Sequence, residues 1–203
     1  MRSELVKQLG ETYKVLPNFL TRKELNKIEK SFIEDIQNNS TITGVTLDEV
    51  ERAYGIYLHK QLIILQCNKL REISNLVNKD CLPSYCYIRM YTNGSELYDH
   101  RDRAACEITV SIQISGDRPW DISIENQEGQ MVDVLLSPGD AVILDGINHK
   151  HVRDKPYTGT QYLQAFIHYV FTDSAAAQYA FDYAHTAEVA HDKGYQKGLT
   201  ERA

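Results

Sequence analysis

Residues 98–115 read YDHRDRAACEITVSIQIS, and this segment joins a group of ionisable side chains to the start of a strand. From Glu107 to Ser115 polar and apolar residues alternate, so a strand here has one polar and one apolar face. Two architectures fit this alternation: an antiparallel sheet with one face in solvent, or a barrel with a polar interior. In both cases the ionisable residues lie at the end of a strand.

Short strand-like runs separated by turn residues occupy the middle of the chain. They cover residues 85–91, 107–114, 120–125, 131–136, 141–144 and 162–171. Turn signals such as Asn93-Gly94 and Pro138-Gly139 lie between them, and no helix-length pattern does. This spacing predicts an antiparallel sandwich or barrel of the jelly-roll or cupin kind.

The first third of the chain predicts helices that cover this sheet. Thr21 and Glu24 form a capping box, and the apolar residues after them recur at helical spacing. A second capping box begins at Thr46, and an apolar-periodic run from Leu62 predicts a long helix that ends near Asn78.

These patterns predict a single domain, residues 1–203, of the α+β class with mainly β structure. Helical support is expected over about 1–80 and a β core over about 84–171. An alanine-rich segment after Asp173 that contains Tyr179, Phe181 and Tyr183 predicts a C-terminal helix, followed by a loose tail to residue 203.

Composition narrows the class of protein. The 203 residues are 42% hydrophobic and 25% charged, which is ordinary for one globular domain. The four cysteines form no CxxC pair, and no apolar run is long enough for a signal peptide or a membrane span, so we predict a cytoplasmic protein that is not in a membrane. A net charge of −6 disfavours nucleic acid as a partner. We expect a monomer or homodimer.

Two histidine-containing clusters predict a metal site. His100 and Asp102 are two residues apart, about 6.6 Å along one strand face, so both side chains can reach one ion. The turn at Gly146 is soon followed by His149 and His151. A 2-His-1-carboxylate facial triad needs a His-x-Asp pair and a second histidine from a distant strand. Spacing alone leaves His149 and His151 as alternatives, and the two could also be a cupin-type pair or ordinary loop residues.

A further set of short segments follows one family pattern. The segments are LPSYCYIRMY (82–91), GSEL (94–97), HRDR (100–103), CEI (106–108), Trp120, PGD (138–140), Gly146, HVRD (151–154), Gly159 and QAFIHY (164–169). Together they resemble the prolyl-4-hydroxylase-like branch of the Fe(II)/2-oxoglutarate dioxygenases. In that family the distal iron ligand stands eight residues before a glycine, a relation that His151 has to Gly159. The resemblance therefore implies that His100, Asp102 and His151 are the metal ligands and the catalytic centre.

The resemblance also implies a fold and a reaction. It implies a double-stranded β-helix core, Fe(II) as cofactor, 2-oxoglutarate as co-substrate and O2 as oxidant, with hydroxylation of a substrate and release of succinate and CO2. The family usually places Lys or Arg two residues after the glycine to hold the distal carboxylate of 2-oxoglutarate. This chain has Gln161 at that position, so the anchor is expected elsewhere.

Arg153 is the predicted anchor of that carboxylate. If the strand stays extended after His151, Arg153 points to the same face about 6.6 Å further along, and a guanidinium offers a planar bidentate fork to a carboxylate. The alternatives are that Arg153 pairs with Asp154 or another surface acid, or that Arg89 is the anchor. Further residues predicted to line the interior near the co-substrate are Tyr91, Thr109, Ser111 and Gln113, with a hydrogen-bonded structural role as the alternative for each. The alternation of the last strand also allows Gln164 and His168 to face the interior, where the alternative for His168 is a hydrogen-bonded core histidine outside the metal site.

Three classes of function fit these residues. The first is a hydroxylase of a small metabolite or amino acid, and the second is a hydroxylase of a peptide or protein side chain such as proline. The third is a non-catalytic sensor module that binds the metal and 2-oxoglutarate. The intact His-x-Asp pair favours the catalytic classes, and we expect a small-molecule substrate ahead of a peptide.

Overall fold

A computed structural model of the protein describes residues 3–38, 45–47 and 50–182. This described part contains three α-helices, eleven β-strands and short 3-10 turns. The helices are α1 (Glu4–Leu9), α2 (Arg22–Gln37) and α3 (Lys60–Leu76). The strands are β1 (Tyr13–Leu16), β2 (Val45–Leu47), β3 (Ala53–Tyr57), β4 (Cys81–Thr92), β5 (Leu97–His100), β6 (Ile108–Gly116), β7 (Ile122–Glu125), β8 (Met131–Val134), β9 (Ala141–Leu144), β10 (His151–Arg153) and β11 (Gln161–Phe171).

The strands form two antiparallel sheets. The larger sheet has the order β1-β9-β6-β11-β4-β3-β2, and the smaller one has the order β5-β10-β7-β8. The chain passes from one sheet to the other at each step from β4 to β7, and again at each step from β8 to β11. This alternation is the winding of a double-stranded β-helix, so the predicted fold class is confirmed.

Helices α2 and α3 cover the outer face of the larger sheet. Leu25, Ile28 and Phe32 of α2 are buried in the same apolar cluster as the outward residues of the sheet, and each such burial contributes about 1.5–3 kcal/mol. The predicted capping box is present, because the Thr21 hydroxyl accepts from the Glu24 N–H and the Glu24 carboxylate accepts from the Thr21 N–H. No helix among the described residues is long and apolar enough to cross a bilayer.

Strand β6 lies between the apolar cluster under the helices and the interior of the barrel. Its isoleucines and Val110 face the helices and are buried in the apolar cluster. Its other face carries Thr109, Ser111 and Gln113, which are each less than 5% exposed. The polar face therefore lies in the barrel interior rather than in solvent, which decides between the two architectures that the alternation allowed.

Two helix predictions differ from the structure within the described residues. The capping box at Thr46 does not begin a helix, because Val45–Leu47 are a strand that pairs with β3; the remainder of that motif, residues 48–49, lies outside the described residues. The alanine-rich segment forms a 3-10 helix, Ala175–Tyr179, and ends at an extended Ala180. It stops because the chain turns back to β4, where Phe181 N–H donates to the Pro83 carbonyl. Residue 183 and the predicted tail also lie outside the described residues.

Candidate metal centre and co-substrate pocket

Three potential metal ligands converge where β5 ends and β10 begins. The two strands are neighbours, and His100 lies opposite His151 in their register. Asp102 Oδ1 is 3.7 Å from Nε2 of His100 and 3.5 Å from Nε2 of His151. One ligand atom from each residue lies within 4.8 Å of the other two. The structure thus brings together the three residues that the sequence singled out.

This donor set fits Fe(II). Two imidazole nitrogens and one carboxylate oxygen are the ligands of the facial triad, which leaves three adjacent coordination positions open. Neighbouring octahedral ligands at about 2.1 Å from an ion are about 3 Å apart, so the two short separations are close to those that a bound ion requires. The side chains of His100, Asp102 and His151 would therefore hold the ion with small movements.

Contacts outside the triad orient the Asp102 carboxylate. Its Oδ2 accepts a hydrogen bond of 2.7 Å from the Thr109 hydroxyl, which leaves Oδ1 directed at the two histidines. The Thr109 oxygen is in turn 3.2 Å from Nδ1 of His168. The Asp102 N–H donates to the carbonyl of Gly146, where an added Cβ would collide with Asp102 Oδ2. Gly146 is therefore required because the ligand packs directly against its backbone.

The histidine rings present Nε2 to the same point. Nδ1 of His100 lies 2.9 Å from the Tyr98 carbonyl, and Nδ1 of His151 lies 3.4 Å from the His149 carbonyl. A carbonyl partner at Nδ1 fixes the tautomer in which Nε2 is free to bind a metal. Burial, together with the neighbouring His151, lowers the pKa of His100 to about 4. Burial and the neighbouring His151 thus keep the His100 imidazole neutral at physiological pH, as metal binding requires.

The charge of Asp102 is favoured in spite of its burial. Burial by itself raises the pKa of this carboxyl, but the hydrogen bond and charge of His151, with Thr109 and His168, outweigh it and hold the pKa well below the usual range. The carboxylate is therefore ionised before any metal arrives.

His149, the alternative third ligand, lies elsewhere. Its Nε2 is 3.9 Å from the carboxylate of Asp145, a buried residue that also accepts hydrogen bonds from Asn148 and Ser3. His149 is outside the cluster that His151 forms with His100 and Asp102. His149 thus has a structural role within the loop between β9 and β10.

Arg153 lies on the same strand face as His151 and crosses the barrel interior. The residue is 1% exposed, and its guanidinium reaches β11, where Nη2 donates to the Tyr162 hydroxyl at 3.3 Å and to Gln164 Oε1 at 3.0 Å. Nη1 donates to the carbonyls of Trp120 and Asp121. These partners are all uncharged oxygens, so they position the guanidinium without neutralising it.

The charge of Arg153 has no countercharge in the part of the chain that the structure describes. No carboxylate there lies within 4.0 Å of it, so the alternative of a pair with Asp154 or another acid is wrong. Its Nε is buried and has no hydrogen-bond partner among the described residues. A buried charge costs free energy unless an opposite charge approaches it.

The other predicted co-substrate residues also face the interior. Tyr91 is fully buried and its hydroxyl accepts a hydrogen bond from Arg89 Nη1 at 3.2 Å. Arg89 is 8% exposed and stacks near the rings of Tyr87 and Phe166. Within the part of the chain that the structure describes, Oε1 of Gln113 is buried and has no hydrogen-bond partner.

Gln161 is exposed and lies on the opposite parity of β11 from Tyr162 and Gln164. It therefore cannot take the place of the basic residue that the family carries there. The sequence predicted that Thr109 and His168 face the interior but assigned them no role. Thr109 bonds to Asp102 and contacts His168, which lies 59 residues further along the chain, and the alternation of β6 and β11 was the signal available for them.

Comparisons with known proteins agree with this architecture. A scan of protein-family models and a search of curated proteins both find no match to the chain. Among solved structures, HygX from Streptomyces hygroscopicus with nickel and 2-oxoglutarate bound is similar, with 13% identity over 85% of this chain and 88% of that chain and a TM-score of 0.63. A prolyl-4-hydroxylase from Pseudomonas putida has 11% identity over 81% and 96% of the two chains and a TM-score of 0.61.

A third similar structure is SnoK, a non-haem α-ketoglutarate-dependent carbocyclase of nogalamycin biosynthesis, with 11% identity over 85% of both chains and a TM-score of 0.65. The chain therefore has the double-stranded β-helix fold of the Fe(II)/2-oxoglutarate oxygenases. The resemblance seen in the sequence is confirmed at the level of this fold, and the triad occupies neighbouring strands within it.

Proposed function

We propose that the protein is an Fe(II)- and 2-oxoglutarate-dependent oxygenase that hydroxylates a small metabolite or an amino acid. The observation that carries this proposal is the convergence of His100, Asp102 and His151 within 4.8 Å. Arg153, buried on the same strand face as His151, adds a position for an anion. 2-Oxoglutarate chelates a metal at one end and carries a carboxylate at the other. The three metal ligands and Arg153 would provide one binding group for each end.

The three ligands would hold Fe(II), which with O2 and 2-oxoglutarate supplies the oxidising equivalents for hydroxylation as succinate and CO2 form. Around it, Thr109 fixes the carboxylate ligand through Oδ2. A buried aromatic cluster that includes Tyr91, Trp120, Tyr157 and Tyr162 would exclude water from the Arg153 end of the interior. A dry site limits side reactions of oxidising species.

Arg153 would bind the distal carboxylate of 2-oxoglutarate. The basic residue that the family carries on the last strand is absent here, but the Arg153 side chain extends from β10 to that same strand, β11, where it contacts Tyr162 and Gln164. A guanidinium can therefore act at the usual place while arising from a different strand. Arg89 remains the rival anchor, and Tyr91 and Gln113 would contribute hydrogen bonds to the same molecule.

A small-molecule substrate has support from the solved structures. Similar structures are described with hygromycin B bound, in HygX, and with nogalamycin RO bound, in the epimerase SnoN. The P. putida prolyl-4-hydroxylase favours the second candidate, a peptide or protein hydroxylase. We rank the small molecule first.

The test is succinate formation from 2-oxoglutarate by the Fe(II)-loaded protein, alone, with a metabolite and amino-acid pool, and with proline-containing peptides. We expect succinate that depends on Fe(II), that a metabolite stimulates, and that Asp102→Ala abolishes. Stimulation by peptides alone would favour the second candidate. Binding of 2-oxoglutarate without any succinate would identify a sensor, and the absence of both binding and succinate would refute the proposal.

A further inference from the structure

We infer that Tyr85 and Cys106 form a modification site in which the phenol ring and the thiol become joined by a thioether bond when the centre turns over without substrate. This inference rests on the proposed function, which supplies the oxidant. It concerns a pair of side chains that the hydroxylation reaction itself does not use.

The two side chains are held against each other in the interior. The Tyr85 hydroxyl lies 3.1 Å from the Cys106 sulfur, and the two residues are 7% and 1% exposed. The guanidinium of Arg103 lies 4.1 Å from the centre of the Tyr85 ring, and the His168 ring stacks on it with centroids 4.4 Å apart. These contacts restrict the phenol ring, so its edge stays beside the sulfur.

The pair is connected to the metal centre by a short series of contacts. From Tyr85 the series runs to the stacked His168, whose Nδ1 is 3.2 Å from the Thr109 hydroxyl. Thr109 then donates to Asp102, a proposed iron ligand, at 2.7 Å. Cys106 also follows Asp102 by one 3-10 turn, Ala104–Cys106. Tyrosine and cysteine are readily oxidised side chains, and this series of contacts links the pair to a centre that would generate an oxidant.

The other cysteines do not share this environment. Cys67 is exposed, Cys81 donates to the Lys79 carbonyl, and Cys86 is buried in the apolar cluster between the sheet and the helices. Burial raises the pKa of the Cys106 thiol well above its ordinary value, so this sulfur stays protonated and is a poor nucleophile. Its reactivity is therefore expected to be oxidative rather than nucleophilic.

The reaction balances with one turnover. The S–H bond of Cys106 and the ring C–H bond next to the Tyr85 hydroxyl break, and one C–S bond forms, so the protein loses two hydrogen atoms. 2-Oxoglutarate and O2 give succinate and CO2, and the remaining oxygen atom takes up the two hydrogens as water. The product ties β4 to the turn after Asp102 and closes a loop between residues 85 and 106.

The experiment is intact-mass and peptide mass spectrometry of the Fe(II)-loaded full chain after incubation with 2-oxoglutarate and O2 and no substrate, with succinate measured in the same samples. We expect a mass lower by two hydrogen atoms that persists after complete thiol reduction, and one tryptic species that contains both Tyr85 and Cys106. Persistence after reduction distinguishes the thioether from a disulfide. Cys106→Ser should release succinate without the mass loss, and Cys67→Ser should still show it.

The other possible results would overturn the thioether alone or the thioether together with the proposed function. Succinate release with an unchanged mass, or with one oxygen atom added at Tyr85, would overturn the thioether while leaving the proposed function in place. Loss of two hydrogens that reduction reverses would also overturn it. No succinate and no mass change would remove the proposed function and this inference together. Tyr85→Phe is a second test, because without the hydroxyl the ring is harder to oxidise and the crosslinked species should fall at least tenfold.

Discussion

Replacing Arg153 with glutamine should weaken 2-oxoglutarate binding strongly while leaving the metal ligands in place. Arg153 is 1% exposed, and its partners are two backbone carbonyls, the Tyr162 hydroxyl and Gln164. The co-substrate carboxylate would therefore be the first countercharge that this guanidinium meets. Glutamine keeps a polar side chain of similar reach but removes the charge.

The expected size of the effect follows from this burial. Removing one partner of a buried ion pair costs about 3–5 kcal/mol, and each 1.4 kcal/mol is about tenfold in affinity. The Kd for 2-oxoglutarate should therefore rise by about two to three and a half orders of magnitude. At a ligand concentration about 100 times the wild-type Kd, ligand binding stabilises the wild-type protein by about 2.7 kcal/mol. With a Kd 100-fold higher, that stabilisation falls to about 0.4 kcal/mol.

Two measurements check these values. Titration of 2-oxoglutarate into the anaerobic Fe(II) protein, followed by the metal-to-ligand charge-transfer band, gives the Kd of each variant. Thermal unfolding with and without 2-oxoglutarate gives the stabilisation, and metal analysis shows that Fe(II) is still bound. Unfolding without ligand measures separately what the lost hydrogen bonds to Trp120 and Gln164 contribute.

Matched variants make the result interpretable. Gln161→Ala lies on the exposed face of β11 and should leave the affinity within a few-fold of wild type. Arg89→Gln tests the rival anchor. Unchanged 2-oxoglutarate affinity in a folded, iron-loaded Arg153→Gln protein would refute the assignment, and a loss of two or more orders of magnitude in Arg89→Gln instead would transfer the role there.

Three further predictions concern the metal centre and stability. His151→Ala should lose Fe(II) and His149→Ala should retain it by metal analysis; the reverse pattern would exchange their roles. Thr109→Val should lower Fe(II) affinity about 10- to 100-fold, since it removes the donor that orients Asp102, and a competition titration with a metal chelator measures this. Burial lowers the pKa of His59 and outweighs the opposing effect of Asp35, whose Oδ2 lies 3.4 Å from Nε2. The His59 ring nitrogens have no hydrogen-bond partner among the described residues, so below about pH 6.5 the unfolded chain takes up a proton first and stability should fall. Urea unfolding of His59→Leu should show a smaller fall than wild type between about pH 7.5 and pH 5; an identical fall would exclude His59 as its source.

The sequence was sufficient for features that depend on neighbours in the chain. The Thr21 capping box and the strand alternation from Glu107 onward act over three or four residues, and both are present in the structure. His100 and Asp102 could be recognised for the same reason, because their spacing alone places both side chains near one point. Local pattern failed at Thr46, where pairing with β3 overrides the capping box, and the fifth and tenth strands, which are rich in ionisable residues, were not predicted.

Tertiary structure decided which of these residues act together. His151 meets His100 because β10 pairs with β5, and His149, two residues away, is directed to Asp145 instead. The amino-acid pattern contains both histidines but not the strand pairing that selects one. The contact of Arg153 with β11 also depends on tertiary structure, because it requires a particular distance between the two sheets. Tyr85 and Cys106 are 21 residues apart in the chain and are in contact only in the folded protein. Side-chain chemistry and local conformation follow from neighbouring residues, whereas distances across a barrel follow from how the whole chain closes.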